Sequence, residues 1–297
     1  MGSMRLKKRL RAVVSERRGA RDGESLLGIS SFPFVSGDTF RLFAGIEIEL
    51  GGLRSRFPLP SGVLFASAAT ASHPSFRRLI DRFLSERSPN STSLLIHNGD
   101  KPPPEDELHR LAEDFEISVF CVNAVKESTR LRALPIGLEN VDLQGAGKLK
   151  YFLDFPDNRS PAARNRLVMT SFHVSTNPVQ RSPLAASLAK SRHGFDGVRW
   201  KRGDYFRELG RTLFVLSPPG NGYDCHRTWE AIAHGAVPVV LRGYLAPSLA
   251  ESMPILAVDS WDDFIQMTDS ELRAKYAEVS RMEPDVLLAS YWAKVLG

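Results

Sequence analysis

The strongest constraint on this chain lies at residues 212–240, TLFVLSPPGNGYDCHRTWEAIAHGAVPVV. Residues 212–217 are a short apolar run of strand formers. Pro218-Pro219-Gly220-Asn221-Gly222 is dense turn chemistry, and Asp224 is a good helix N-cap. A helix is predicted next, with Trp229, Ile232 and Ala233 on its buried side and Gly235 ending it. Residues 236–241 form a second apolar run. Two strands joined by a helix imply a parallel crossover. Ligands then belong at the carboxyl end of the strand and the amino end of the helix.

The polar residues fall where such a ligand would lie. Small glycines let a backbone come close, and free N–H groups at a helix start favour an anion. His226 and Arg227 occupy the predicted first turn and add donors or charge for a diphosphate. Glu230, four residues after His226, shares its helix face one turn deeper, and a carboxylate there suits hydroxyls such as those of a ribose. Gly220-x-Gly222 begins a dinucleotide fingerprint, but Cys225 stands where the third glycine belongs, which argues against a dehydrogenase. No Walker lysine is present. The plain alternative is an ordinary strand–loop–helix with a solvated polar turn.

The segment SPPGNGYDCHRTWEAIAHGAVPVV resembles the sugar-nucleotide-binding segment of exostosin-like glycosyltransferases. The resemblance covers Ser217, Pro218, Gly220, Asn221, Gly222, Asp224, His226, Arg227, Trp229, Glu230, Gly235 and Pro238. Upstream, IHNGD at 96–100 and LPIGLEN at 134–140 are similar to two further segments of bacterial and viral members. The resemblance implies an α/β chain with the GT-B fold: two Rossmann-like domains facing across a cleft, the donor held mainly by the second. It implies transfer of a sugar from a nucleotide diphosphate, with UDP the favoured nucleotide, to a hydroxyl of a glycan acceptor. Asn221, Gly222, His226 and Arg227 would hold the diphosphate and Glu230 the ribose. Ser217, Gly220 and Asp224 complete the motif. Thr176 joins the donor set from a Thr-Asn-Pro loop that also looks like the family's, with His173, Ser175, Asn177 and Arg181 as further contacts. Arg242, closing a strand at the cleft edge, is a last phosphate contact.

At 297 residues and 42% hydrophobic content, the chain is long enough for two domains. Residues 1–22 read as a basic segment, 23–150 as an acceptor-side domain, 151–165 as a linker that loses periodicity, and 166–297 as the donor domain. The terminal apolar run at 286–295 is a candidate to cross back to the first domain. A net charge of +5 and a pI near 9.3 suit an anionic ligand, and would also suit nucleic acid or anionic lipid. Much of that charge lies in residues 5–21, a basic helix candidate able to touch a membrane surface or simply remain solvated. Met1-Gly2-Ser3 is expected to derive from a cloning tag.

In the first domain, 40–48 alternates weakly, and 62–68, 92–96, 117–122 and 131–136 read as strands. Helices are predicted at 75–84 and 105–115. Two strand ends then present acids, Asp100 and Glu139. An inverting transferase needs a general base to take the proton of the attacking hydroxyl. Asp100 is the first candidate, Glu139 the second, and His97 a third that acts either directly or by orienting an acid. Structural roles remain open for each: Asp100 can cap the turn before Pro102, and Glu139 can bind backbone amides. In the second domain 204–210 reads as a short helix of little chemical consequence.

Only Cys121 and Cys225 occur, too few for a disulfide framework, and no metal-like spacing appears. No Asp-x-Asp follows a strand, so no metal or other cofactor is expected. A helix dipole and basic side chains would stabilise the leaving diphosphate. No signal peptide and no apolar run of roughly twenty residues are present, so a cytoplasmic location is expected. Two rivals stand beside the transferase: a non-catalytic glycan- or nucleotide-binding module on the same fold, and a nucleic-acid binder. No stacking-aromatic pattern supports the second, and no nucleic-acid partner is expected.

Overall fold

The apolar runs pair into two sheets in the computed structural model. It describes residues 31–50, 52–55, 62–85, 92–101, 104–141, 147–153, 164–197 and 200–296. Residues 1–3 and the basic run at 5–21 lie outside the described residues. In the first sheet β1 (Ile46–Glu49) pairs antiparallel with β2 (Gly52–Ser55) and parallel with β3 (Val63–Ser67). β4 (Ser93–His97), β5 (Ser118–Val122) and β6 (Leu131–Leu134) follow in parallel. The second sheet is β7 (Arg166–Met169), β8 (Thr212–Leu216), β9 (Val237–Leu241) and β10 (Leu256–Val258), parallel throughout.

This is an α/β protein with two parallel-stranded sheets, compatible with a two-domain Rossmann-like arrangement. Beyond the β1–β2 hairpin, the strands of each sheet follow sequence order. Among the described residues neither sheet therefore has the order reversal at which doubly wound sheets open a crevice. Here the crevice forms where the carboxyl ends of the two sheets meet.

The alternation at 40–48 is strand only in its second half, residues 46–48 of β1. Residues 40–43 belong to a helix, Gly37–Phe43, whose N-cap Ser36 accepts from Thr39 N at 3.3 Å. Phe40 on that helix is fully buried, so capping and burial outweigh a weak strand alternation.

One apolar core runs through both sheets, joining Phe65, Leu95 and Phe120 of the first to Met169 and Val215 of the second. The closing helix Ala289–Val295 packs on the first sheet: the Trp292 ring meets Phe40 at 5.4 Å and Phe120 at 6.3 Å. The segment read as a linker also contributes to this core. Phe152, in the short helix Lys150–Leu153, lies between Phe34 at 5.6 Å and Phe206 at 5.2 Å. Near it Arg164 is buried, and its guanidinium donates to Thr212 O, Leu209 O and His234 O. Three carbonyl partners offset the desolvation of that charge. No helix among the described residues is long and apolar enough to cross a membrane.

Candidate functional site

Three neighbouring strands of the first sheet each end in a left-handed residue: Asn98 after β4 (φ 55°), Asn123 after β5 (φ 61°) and Gly137 after β6 (φ 68°). Asparagine tolerates that conformation, and at Gly137 a Cβ would also stand 2.3 Å from Val35 O. These turns swing the chain along the carboxyl edge and leave Asp100 and Glu139 at its rim.

From the other sheet, the loop after β8 is held from behind. Arg181 is 4% exposed; its Nε donates to Pro219 O at 2.9 Å and its terminal nitrogens to Pro218 O at 3.0 Å and His173 O at 2.8 Å. Asn177 donates to Gly220 O at 2.8 Å while capping the Pro178–Lys190 helix through Gln180 N. Arg181 is thus a strut that shapes the glycine loop, its guanidinium engaged by three carbonyls although it also lines the cavity described below.

The same loop is docked on the first sheet. Asp224 Oδ2 accepts from Ile136 N at 2.8 Å, and both its oxygens accept from the indole N–H of Trp229, at 2.9 and 2.8 Å. Asp224 N donates to Asn123 Oδ1 at 2.8 Å. The Asn221 amide donates to Asp100 Oδ2 at 3.0 Å. At Gly222 a Cβ would stand 2.2 Å from Asp100 O, so only glycine allows this approach. Asp224 is therefore not the N-cap expected. Cys225 holds that position without a side-chain cap, because the Asp224 carboxylate is drawn across to the first sheet. Burial pushes the Asp224 carboxyl up to about 6, against the pull of its donors Ile136 N and Trp229.

The helix His226–Ala233 has eight residues, too short to be stable alone, and Trp229 at 0% exposure anchors it in the shared core. Its uncapped start opens on a cavity of about 520 Å³ between the two sheets. Asp100, Glu139, Thr176, Gly220, Asn221, Gly222, Asp224, His226, Arg227 and Glu230, drawn from distant parts of the sequence, all line it. His226 Nδ1 lies 2.8 Å from Gly137 O, a carbonyl that only accepts, so this nitrogen carries a proton. Nε2 then faces Glu139 Oε1 at 3.3 Å, with both side chains about a quarter exposed. The pair joins the helix that follows β8 in one sheet to the strand end of the other. Arg227 Nε is buried beside the cavity and has no partner among the described residues.

Three candidates stand apart. His97 is buried; its Nε2–H donates to Pro135 O at 3.1 Å, and Nδ1 accepts from Asn98 N at 2.7 Å. Both nitrogens are occupied, and burial holds the imidazole neutral, its pKa lowered to about 4. It does not line the cavity, which corrects its reading as a base: it is a strut beneath the strand end. The Ser217 hydroxyl is buried against Thr228 at 2.9 Å and ties β8 to the helix. Arg242 is exposed on Asp259 at 2.8 Å, away from the cavity.

Other lining residues carried no assigned role in the sequence. Among them are Trp200 and Arg202, together with Tyr205 and Phe206 of the segment 204–210 read as chemically plain. Tyr205 donates to Glu230 Oε2 at 2.9 Å. Asn123, the clasp to Asp224, was legible only as a polar residue closing a buried strand. Cys121 and Cys225 are free thiols, and burial pushes both upward in pKa. Among the described residues no group of three or more His, Cys, Asp and Glu is placed to hold a metal ion.

A comparison with models of known protein families finds no match to this chain, and a comparison with curated proteins finds none either.

Proposed function

We propose that the chain is a glycosyltransferase with a GT-B arrangement, taking a sugar from a nucleoside diphosphate and passing it to a hydroxyl of a glycan. One observation carries the reading. The uncapped start of the His226–Ala233 helix, with Arg227, and the rim carboxylates Asp100 and Glu139 of the opposite sheet line one cavity. An anion site and candidate bases thus face each other across a space of substrate size.

The diphosphate lies against the first-turn amides and Arg227, whose Nε has no partner among the described residues. Glu230 takes ribose hydroxyls on the deeper wall. The sugar then extends toward the first sheet. There the acceptor hydroxyl attacks the anomeric carbon, the bond from that carbon to the diphosphate oxygen breaks, and the hydroxyl proton passes to a carboxylate. Glu139 suits this better than Asp100, because its carboxylate faces the first turn of the helix, 3.3 Å from the His226 ring, whereas Asp100 is turned onto the Asn221 amide. Charge building on the leaving diphosphate is offset by Arg227 and the helix start, so the mechanism needs no metal.

The test is a melting-temperature panel of nucleoside diphosphates and their sugars, followed by donor turnover in the native chain and in Glu139→Gln and Asp100→Asn. Stabilisation by one nucleotide and at least a hundredfold loss of turnover in E139Q, with a smaller loss in D100N, is expected. Stabilisation without any turnover would favour the non-catalytic binding module. No stabilisation by any nucleotide would sink the transferase reading.

A further inference from the structure

The deep wall of the cavity carries more recognition chemistry than a lone carboxylate. Tyr205 comes from the helix Arg202–Arg211 and Glu230 from the helix His226–Ala233, and the two meet at 2.9 Å between the tyrosine hydroxyl and Oε2. The Arg227 guanidinium lies beside the same hydroxyl. Burial, and then the neighbouring Glu230 charge, push the Tyr205 phenol well above its ordinary range, so it remains a donor. Glu230 is buried to 9% exposure yet lines the cavity, and its Oε1 accepts no hydrogen bond among the described residues. Two further lining side chains have buried nitrogens without a partner there, Arg227 Nε and Trp200 Nε1.

An open carboxylate oxygen and two unanswered N–H donors lining one cavity are an incomplete hydrogen-bond set. Its complement is a ligand with hydroxyl donors close to oxygen acceptors. A ribose carrying phosphate has that pattern, and a 2′-deoxyribose has half of its donors missing.

We propose that Tyr205 is a specificity-determining residue of this cavity: by occupying Oε2 it fixes the Glu230 carboxylate with Oε1 toward the ligand, so that the wall selects ribonucleoside over 2′-deoxyribonucleoside diphosphates. Trp200 closes the same wall and gives its indole N–H to the ligand. The assignment rests on the reading of the cavity as a nucleoside-diphosphate site. It makes Tyr205 a positioning residue acting through Glu230.

The experiment is calorimetric titration of the full chain with uridine, guanosine and adenosine diphosphates, each paired with its 2′-deoxy counterpart. Native protein, Tyr205→Phe and Glu230→Gln are compared, with melting curves to show that each variant is folded. In the native chain the best-binding ribonucleotide should bind about tenfold tighter than its deoxy partner, the size expected for one hydrogen bond to a charged group. Y205F should lose about tenfold on the ribonucleotide and little on the deoxynucleotide, bringing their ratio toward one, and E230Q should do the same. A purely structural tyrosine would weaken both ligands alike, and a ratio retained in Y205F overturns the proposal. Equal binding of ribo and deoxy forms by the native chain also overturns it. Binding of no nucleotide by the native chain would bring down the nucleotide-site reading itself, which is a different outcome from binding without discrimination.

Discussion

Asp224 and Glu230 belong to the same strand–loop–helix unit, and burial pushes both carboxyls upward. Their surroundings separate them. Asp224 is answered by the protein: Ile136 N and the Trp229 indole fill its oxygens, and it joins the two sheets. Among the described residues Glu230 receives one protein donor, Tyr205, and its other oxygen is left to the cavity. A desolvated carboxylate whose hydrogen bonds are all made by the fold is a clasp, whereas one left half-answered has an oxygen open to a further donor.

The largest effect expected from breaking this contrast comes from Asp224→Ala. It strands the Ile136 amide and the Trp229 indole in the core and should cost about 3–5 kcal/mol, measured by urea unfolding. A loss below about 1 kcal/mol would mean that the two sheets are held without the clasp.

The pH dependence of stability sharpens the same contrast. The Asp224 carboxyl is raised to about 6 in the fold, so its contribution is fully present below its ordinary value and lost as pH rises from about 4 through 6. Glu230, also raised, acts in the same direction. His97 is lowered to about 4, so its contribution has the opposite sign and is lost as pH falls from about 6.5 to 4. Each of Asp224 and His97 is linked to at most about 3 kcal/mol, and in the native chain they largely offset one another. Asp224→Asn removes one side of that balance. The difference in melting temperature between native and D224N proteins should therefore grow as pH falls from 6 to 4. A difference that does not change with pH would show that Asp224 titrates normally.

Gly222→Ala tests the docking itself. Its Cβ would meet Asp100 O at 2.2 Å, which forces the loop away from the first sheet. A cost of about 1–3 kcal/mol is expected, together with weaker nucleotide binding. Full stability in this variant would mean that the close approach is relaxed at little cost. The smallest effect should come from Glu230→Gln, which keeps the side-chain volume and still accepts from Tyr205. Its stability should stay within about 1 kcal/mol of the native chain while ligand binding falls. A larger loss would place Glu230 with Asp224 among the structural groups.

Much of the fold was legible in the order of residues. The run GVLFASA and the segments at 92–96, 117–122 and 212–217 are strands because apolar residues of strand-forming type stand between turn signals, which is local information. The Gly220–Gly222 loop and the following helix were legible for the same reason. At 40–43 local alternation misled, since the Ser36 cap and the buried Phe40 turned residues 37–43 into a helix, while 46–48 are strand as the alternation suggests. The site was legible where residues lie at the ends of predicted strands, as with Asp100 and Glu139. Tyr205 and Asn123 were not, because nothing in their neighbours says which side chain of another element they will meet.

By itself, the sequence determined the alternation of strands and helices, the tight loop before the short helix, and the charged and polar residues gathered there. Backbone propensity, turn chemistry and periodicity act over a few residues, and they are written in order along the chain. Only the tertiary structure decided that His97 is a sealed neutral strut, that Asp224 clasps the two sheets, that His226 pairs with Glu139 and that Tyr205 holds Glu230. Those outcomes turn on desolvation and on which donors come within reach of each acceptor, and both are set by what packs against a residue from distant parts of the chain.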